Sequence, residues 1–300
     1  MILMTRRFWA AFVLGCFFLL TTGAAAADKP AIVLVAFGTS TKAFDTYKHF
    51  EAKVKERFPD HEIRWAYTSR IVREKLKEEQ QRELPDLAQT LEDLKAKGVT
   101  QVAVQSLHVV PGEEWQEKVQ SCQETPGLKI SLGKPLLSSL ADRKRVLEAL
   151  AKDFPADFKD NAVLLVGHGS PTPAGTREYL SLYTLKLSKF RGKNVFFGVI
   201  EGQPPIKNAL AALAKSSASK VTIVPFMVVA GDHFENDIMG DKDSIKSELL
   251  AAKPYEIQAI DKGLGYNDGV IQVYLDHLAA ALETFVEKKK EPKKKKGKKE

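Results

Sequence analysis

A chain of 300 residues, 44% of them apolar, can form one large domain or two moderate ones and bury a sizeable core. Its formal charge of +7 sits at the ends: residues 288–300 carry +7 and residues 1–27 carry +2, which leaves −2 for residues 28–287. A near-neutral body of this kind lacks the basic surface of a nucleic-acid binder.

The start, MILMTRRFWAAFVLGCFFLLTTGAAAADKP, has the three parts of an export signal. Arg6 and Arg7 supply the charge, Phe8 to Leu20 the apolar stretch, and Ala25 to Ala27 the small-residue cleavage site. The apolar stretch is shorter than the roughly 20 residues that span a bilayer. Residues 1–27 are therefore expected to be removed and the mature chain, from about Asp28, to be periplasmic. Cys122 is then the only cysteine, so an internal disulfide and a thiolate-rich metal site are both excluded.

Next come apolar runs separated by amphipathic segments. AIVLVAF (31–37), IRWAYT (63–68), QVAVQSLHVV (101–110), AVLLVG (162–167), NVFFGVI (194–200) and VTIVPFMVV (221–229) read as strands. They are continuous rather than alternating, as strands covered on both faces require. Between them, Thr46 to Arg57, Leu87 to Lys97 and Arg143 to Lys152 have helical spacing. The pattern predicts an α/β protein with doubly wound parallel sheets.

An internal repeat divides the body. LVAFGTS (34–40) matches LVGHGS (165–170), with Phe37 opposite His168, and the same offset sets Arg70 opposite Glu201. VAVQSLHVVPGEEW (102–115) matches VTIVPFMVVAGDHF (221–234), with Glu114 opposite His233. Two homologous lobes, 28–140 and 141–287, are expected. The tail KKKEPKKKKGKKE (288–300) reads as disordered: either an inert extension or a weak contact with an anionic membrane.

The chemistry gathers in the second lobe. Ligands of open parallel sheets bind at the carboxyl ends of strands. His168, Glu201 and His233 each stand at such an end, beside Gly167, Gly169, Gly202 and Gly231. Two imidazoles and a carboxylate suit divalent Zn, Co, Fe or Ni and leave coordination positions open. GEE (112–114) and END (235–237) either gather cations or begin helices. Arg70 is the foremost candidate for a cationic ligand contact, ahead of Lys42, Arg73 and Lys75, with a surface ion pair as its plainer reading. His108, inside QSLHVV, reads either as a satisfied semi-buried histidine or as a cleft contact to a ring ligand or an axial metal position. His49, His61 and His277 carry no expected site role. No GxxxxGK[ST] phosphate loop occurs.

VGHGS, the glutamate of VFFGVIEG and PFMVVAGDHFENDIMG, together with the first-half AFGTS and QSLHVVPGEEW, resemble the class II tetrapyrrole chelatases. The resemblance is to the anaerobic sirohydrochlorin cobaltochelatases of cobalamin synthesis, over about residues 30–285. It implies a bilobal chelatase fold, a tetrapyrrole in the cleft, Co²⁺ as substrate metal, and ATP-independent insertion, with Fe²⁺ also possible. It places His168, Glu201 and His233 at metal-binding positions, with His168 as pyrrole proton acceptor. Export sits awkwardly with tetrapyrrole synthesis, so the alternative is a periplasmic carrier of a tetrapyrrole (haem, with His108 as axial ligand) or of a metal. A homo-oligomer is compatible with apolar surface on two lobes.

Overall fold

The computed structural model describes residues 29–287; the expected export signal (1–27) and the lysine tail (288–300) lie outside the described residues. Two four-stranded, wholly parallel sheets organise the chain. The first is built from β1 (Ala31–Ala36), β2 (Ile63–Tyr67), β3 (Gln101–Ser106) and β4 (Lys129–Gly133), in the order β2-β1-β3-β4. The second uses β5 (Asn161–Gly169), β6 (Val195–Glu201), β7 (Lys220–Phe226) and β8 (Glu256–Ala259), in the order β6-β5-β7-β8. The two orders are the same pattern, so the sequence repeat is a repeat of topology.

Helices α1 (Asp45–Arg57), α2 (Arg70–Gln80), α3 (Leu87–Ala96) and α4 (Leu140–Ala151) follow in the first half. In the second come α5 (Pro173–Lys189), α6 (Ile206–Ala214), α7 (Ile245–Ala252) and α8 (Asp268–Glu287). Their starts are set locally. The side chains of Ser69, Asp86, Ser139, Thr172 and Ser244 each accept a free backbone N–H of the first turn of α2, α3, α4, α5 and α7.

Every residue of β1 is at most 3% exposed, which explains its unbroken apolar run. The outer faces of the sheets have separate cores, around Leu91 and Val104 in one and Leu213 and Ile223 in the other. A single core joins the inner faces, running from Ile32 and Leu34 through Leu147 and Tyr274 to Val163 and Phe226. The division expected at residue 140 is crossed by α8. This helix comes last in the chain, yet it packs on β3 and β4 of the first sheet. There the Tyr274 hydroxyl donates to the Leu107 carbonyl at 3.1 Å.

Each sheet has a switch point between its two central strands, β1 and β3 in one lobe and β5 and β7 in the other. From there the chain departs to opposite sides and leaves a crevice at the carboxyl edge. The loops flanking the two crevices touch across the lobes. Gly231, beyond β7, lies against Thr39, beyond β1, and Gly112, beyond β3, lies against Ser170, beyond β5. These contacts exchange with one another under the repeat, since Thr39 corresponds to Ser170. The Ser40 hydroxyl adds a 3.4 Å bond to the Asp232 carboxylate.

Candidate functional site

The strand ends differ from the sequence expectation in a way that builds the site. β5 continues through His168 to Gly169, and β6 through Glu201, because Gly169 pairs with Glu201 in the parallel ladder. Conversely β3 stops at Ser106 and β7 at Phe226. His108 therefore lies in a loop and His233 in the helical turn beyond its loop, and both segments run on into a wide π-helical turn, Glu114–Val119 or Phe234–Ile238. Such turns are rare and recur at functional sites.

One device fixes the loop after the leading strand in both lobes. Gly38 and Gly169 share φ +105°, a conformation that a side chain disfavours. The buried Tyr47 hydroxyl accepts the Gly38 N–H at 3.2 Å, and Tyr179 takes the same place against Gly169. Thr39 and Ser170 then each sit 3.1 Å from the hydroxyl two residues on, Thr41 and Thr172. Phe37 and His168 are thus held by equivalent backbones.

His168 and His233 meet edge to face, with ring centroids 4.5 Å apart and planes at 77°. His168 is half-buried. Burial, and then the neighbouring His233 ring, hold its pKa below the ordinary 6.5, opposed by the Glu201 carboxylate. His233 is more exposed, and its Nδ1 lies 2.6 Å from Asp237 Oδ2. With a proton on Nδ1 for that bond, Nε2 keeps a lone pair for a cation, the usual second-layer arrangement of a metal-binding histidine. Glu201 borders the same cavity. Among the described residues, no three His, Cys, Asp or Glu side chains converge tightly enough to form a ready-made cage. Contact is made by the two imidazoles, with the carboxylate standing off.

The cavity, about 410 Å³, lies between the lobes and is walled by Phe37, Val72, Val109, Trp115 and Met227. Among the described residues its ionisable lining consists of Tyr47, Tyr179, His108, His168, His233 and the acids Glu113, Glu114, Glu201 and Asp232, with no Lys or Arg. Arg70 does not line the cavity: it opens α2 just beyond the Ser69 cap, is largely exposed, and pairs with Glu74 at 3.2 Å. Arg73 is taken by Asp86 at 3.3 Å. Lys118 bonds the Thr68 carbonyl at 3.0 Å and Glu114 Oε1 at 2.9 Å.

His108 does border the cavity. Its Nδ1 is 2.8 Å from Ser106 Oγ, while its Nε2 is buried and unpartnered. Desolvation pushes its pKa down to about 4, so the ring is neutral at pH 7. Sequence reading missed Asp237 as the partner that orients His233, although the i,i+4 spacing was visible, and missed Trp115 and Val72 as cleft walls. Cys122 is buried and its thiol is pushed up to about 12, an inert group. His49 stacks on Tyr266, and His61 and His277 bond the carbonyls of Pro30 and Lys134, away from the cavity lining.

Comparison with known proteins agrees with this geometry. The family model described as "Cobalt chelatase (CbiK)" matches residues 30–283. The chain is 32% identical over 262 residues to the sirohydrochlorin cobaltochelatase CbiKC of Nitratidesulfovibrio vulgaris, covering 85% of this chain and 91% of that one. It is 30% identical over 266 residues to the sirohydrochlorin cobaltochelatase of Salmonella typhimurium, covering 86% and 98%. Among solved structures, SirB from Bacillus subtilis with Fe³⁺ shares the fold at a TM-score of 0.61 and 19% identity, covering 86% of this chain and 98% of that one. With the repeat, the two-lobed α/β architecture and these matches together, the chain belongs to the CbiK cobalt chelatase family.

Proposed function

We propose that this protein inserts Co²⁺ into sirohydrochlorin without ATP. The observation that carries the reading is the pair His168–His233, in ring contact at the carboxyl edge of the second sheet and facing an apolar inter-lobe cleft. His168, Glu201 and His233 hold the substrate cation, and His168 accepts a pyrrole proton. Its lowered pKa keeps the ring in the basic, neutral form at neutral pH. The acids of the cleft favour entry of a divalent cation, and a set of only three ligands allows the ion to leave for the macrocycle. Those ligands would also accept Fe²⁺. The preference for cobalt is supported by the relatives. The chain works after export to the periplasm, where its lysine tail is free to meet an anionic membrane.

The haem form of the carrier alternative would use His108 as axial ligand. Its Nε2 is shielded in the cavity wall, which gives that reading no particular support.

The test is anaerobic metal insertion by the purified mature protein, followed by absorbance with Co²⁺ and sirohydrochlorin beside a no-protein control. Acceleration over the control supports the reading. Tight tetrapyrrole binding without acceleration would replace it with a carrier.

A further inference from the structure

Phe37 is a large apolar side chain left in the open. The six residues before it are at most 3% exposed, yet Phe37 itself is 47% exposed and lines the inter-lobe cavity. Among the described residues no aromatic ring packs on it. Its backbone is nonetheless pinned: the carbonyl accepts from Ser69 N–H at 3.0 Å, and the next N–H is taken by Tyr47. A fixed, exposed ring gains by contact with a ligand and loses little freedom in making it.

Its position gives the contact a direction. Phe37 holds, in the first lobe, the place that His168 holds in the second, on the same +105° glycine turn. The two residues border one cavity from opposite lobes. Among the described residues the cavity lining has no Lys or Arg to grip peripheral carboxylates, which leaves its apolar and aromatic walls to hold a flat ligand by its faces. One face meets the imidazole pair that delivers the metal.

We propose that Phe37 receives the other face: its ring packs on the macrocycle from the first lobe and sets the tetrapyrrole plane opposite His168 and His233. This rests on the function proposed above and names a residue that binds the substrate without touching the metal.

The experiment uses the mature protein and Phe37→Ala, Phe37→Tyr and Phe37→Leu. It measures the dissociation constant for metal-free sirohydrochlorin by fluorescence quenching, the insertion kinetics, and Co²⁺ binding to the tetrapyrrole-free protein. Phe37→Ala is expected to weaken sirohydrochlorin binding about tenfold and to raise KM, with Co²⁺ affinity unchanged. Phe37→Tyr should stay within about twofold of wild type, and Phe37→Leu, apolar but without a flat face, should recover only part of the loss. Wild-type affinity in Phe37→Ala or complete recovery in Phe37→Leu overturns the face contact, and a parallel loss of Co²⁺ affinity would make Phe37 a support of the fold instead. If the wild type binds Co²⁺ but neither binds nor metallates sirohydrochlorin, the proposed function falls and this inference with it. If the wild type metallates it and Phe37→Ala does so equally well, this inference alone falls.

Discussion

Gly169 and Glu201 stand side by side in the β5–β6 ladder, so close that a β-carbon on residue 169 would overlap the Glu201 carbonyl. The glycine that ends β5 just past His168 also lets the Glu201 backbone reach the same edge. Gly169→Ala is therefore expected to disturb two proposed ligands through one methyl group. The positive φ adds strain, and the overlap must be relieved by moving backbone. Expected outcomes are a stability loss of about 2 kcal/mol in denaturant unfolding and loss of insertion even where the variant folds.

His168→Ala should lower the insertion rate about 100-fold or more while the thermal midpoint stays close to wild type. The wild-type rate should show an acid limb. The base works in its neutral form, and its pKa lies below 6.5, so activity is full at neutrality and falls only as pH drops through that lowered value. A limb centred above 6.5 would assign the proton to another group.

Asp237→Asn tests the orientation of His233. Losing the carboxylate at 2.6 Å should weaken Co²⁺ binding about tenfold without unfolding the protein. Glu235→Gln, two residues away and outside the cavity lining, is the control expected to bind Co²⁺ normally.

His108 makes a prediction about stability. Its folded pKa, about 4, is below its unfolded value, so between about 6.5 and 4 the unfolded chain binds the extra proton. Its contribution is fully present above pH 6.5 and is lost as pH falls towards 4, by up to about 3 kcal/mol. Urea midpoints at pH 7 and pH 4.5 should differ more in the wild type than in His108→Gln.

Deleting residues 288–300 should leave insertion kinetics unchanged. Co-sedimentation with vesicles containing anionic lipid should fall, and should fall further with salt. A lost turnover would give the tail a part in catalysis.

The central strands were legible because strands buried on both faces leave an unbroken apolar trace, as AIVLVAF and AVLLVG do. The edge strands β4 and β8 were not. Their residues are half exposed, so KISLG and EIQA carry no such run. The positions of His168, Glu201 and His233 at strand ends could be read from order along the chain, and their sharing of one cavity followed from topology. Direction was harder. Arg70 is opposite Glu201 in the repeat, but as the first residue of a capped helix its side chain turns to Glu74. Nor could amphipathicity say which sheet α8 would cover. The pattern of Val270, Tyr274 and Leu278 defines a buried face without naming its partner.

The placement of α8 orders events in time. The first sheet is complete by Gly133 and α1 already covers part of its inner face, yet α8, which packs on β3 and β4, is made only after the whole second sheet. Tyr274, Leu275 and Leu278 cannot reach β3 until more than 100 residues of the second half have followed. The β3–β4 side of the first lobe therefore waits for the second lobe before it can close.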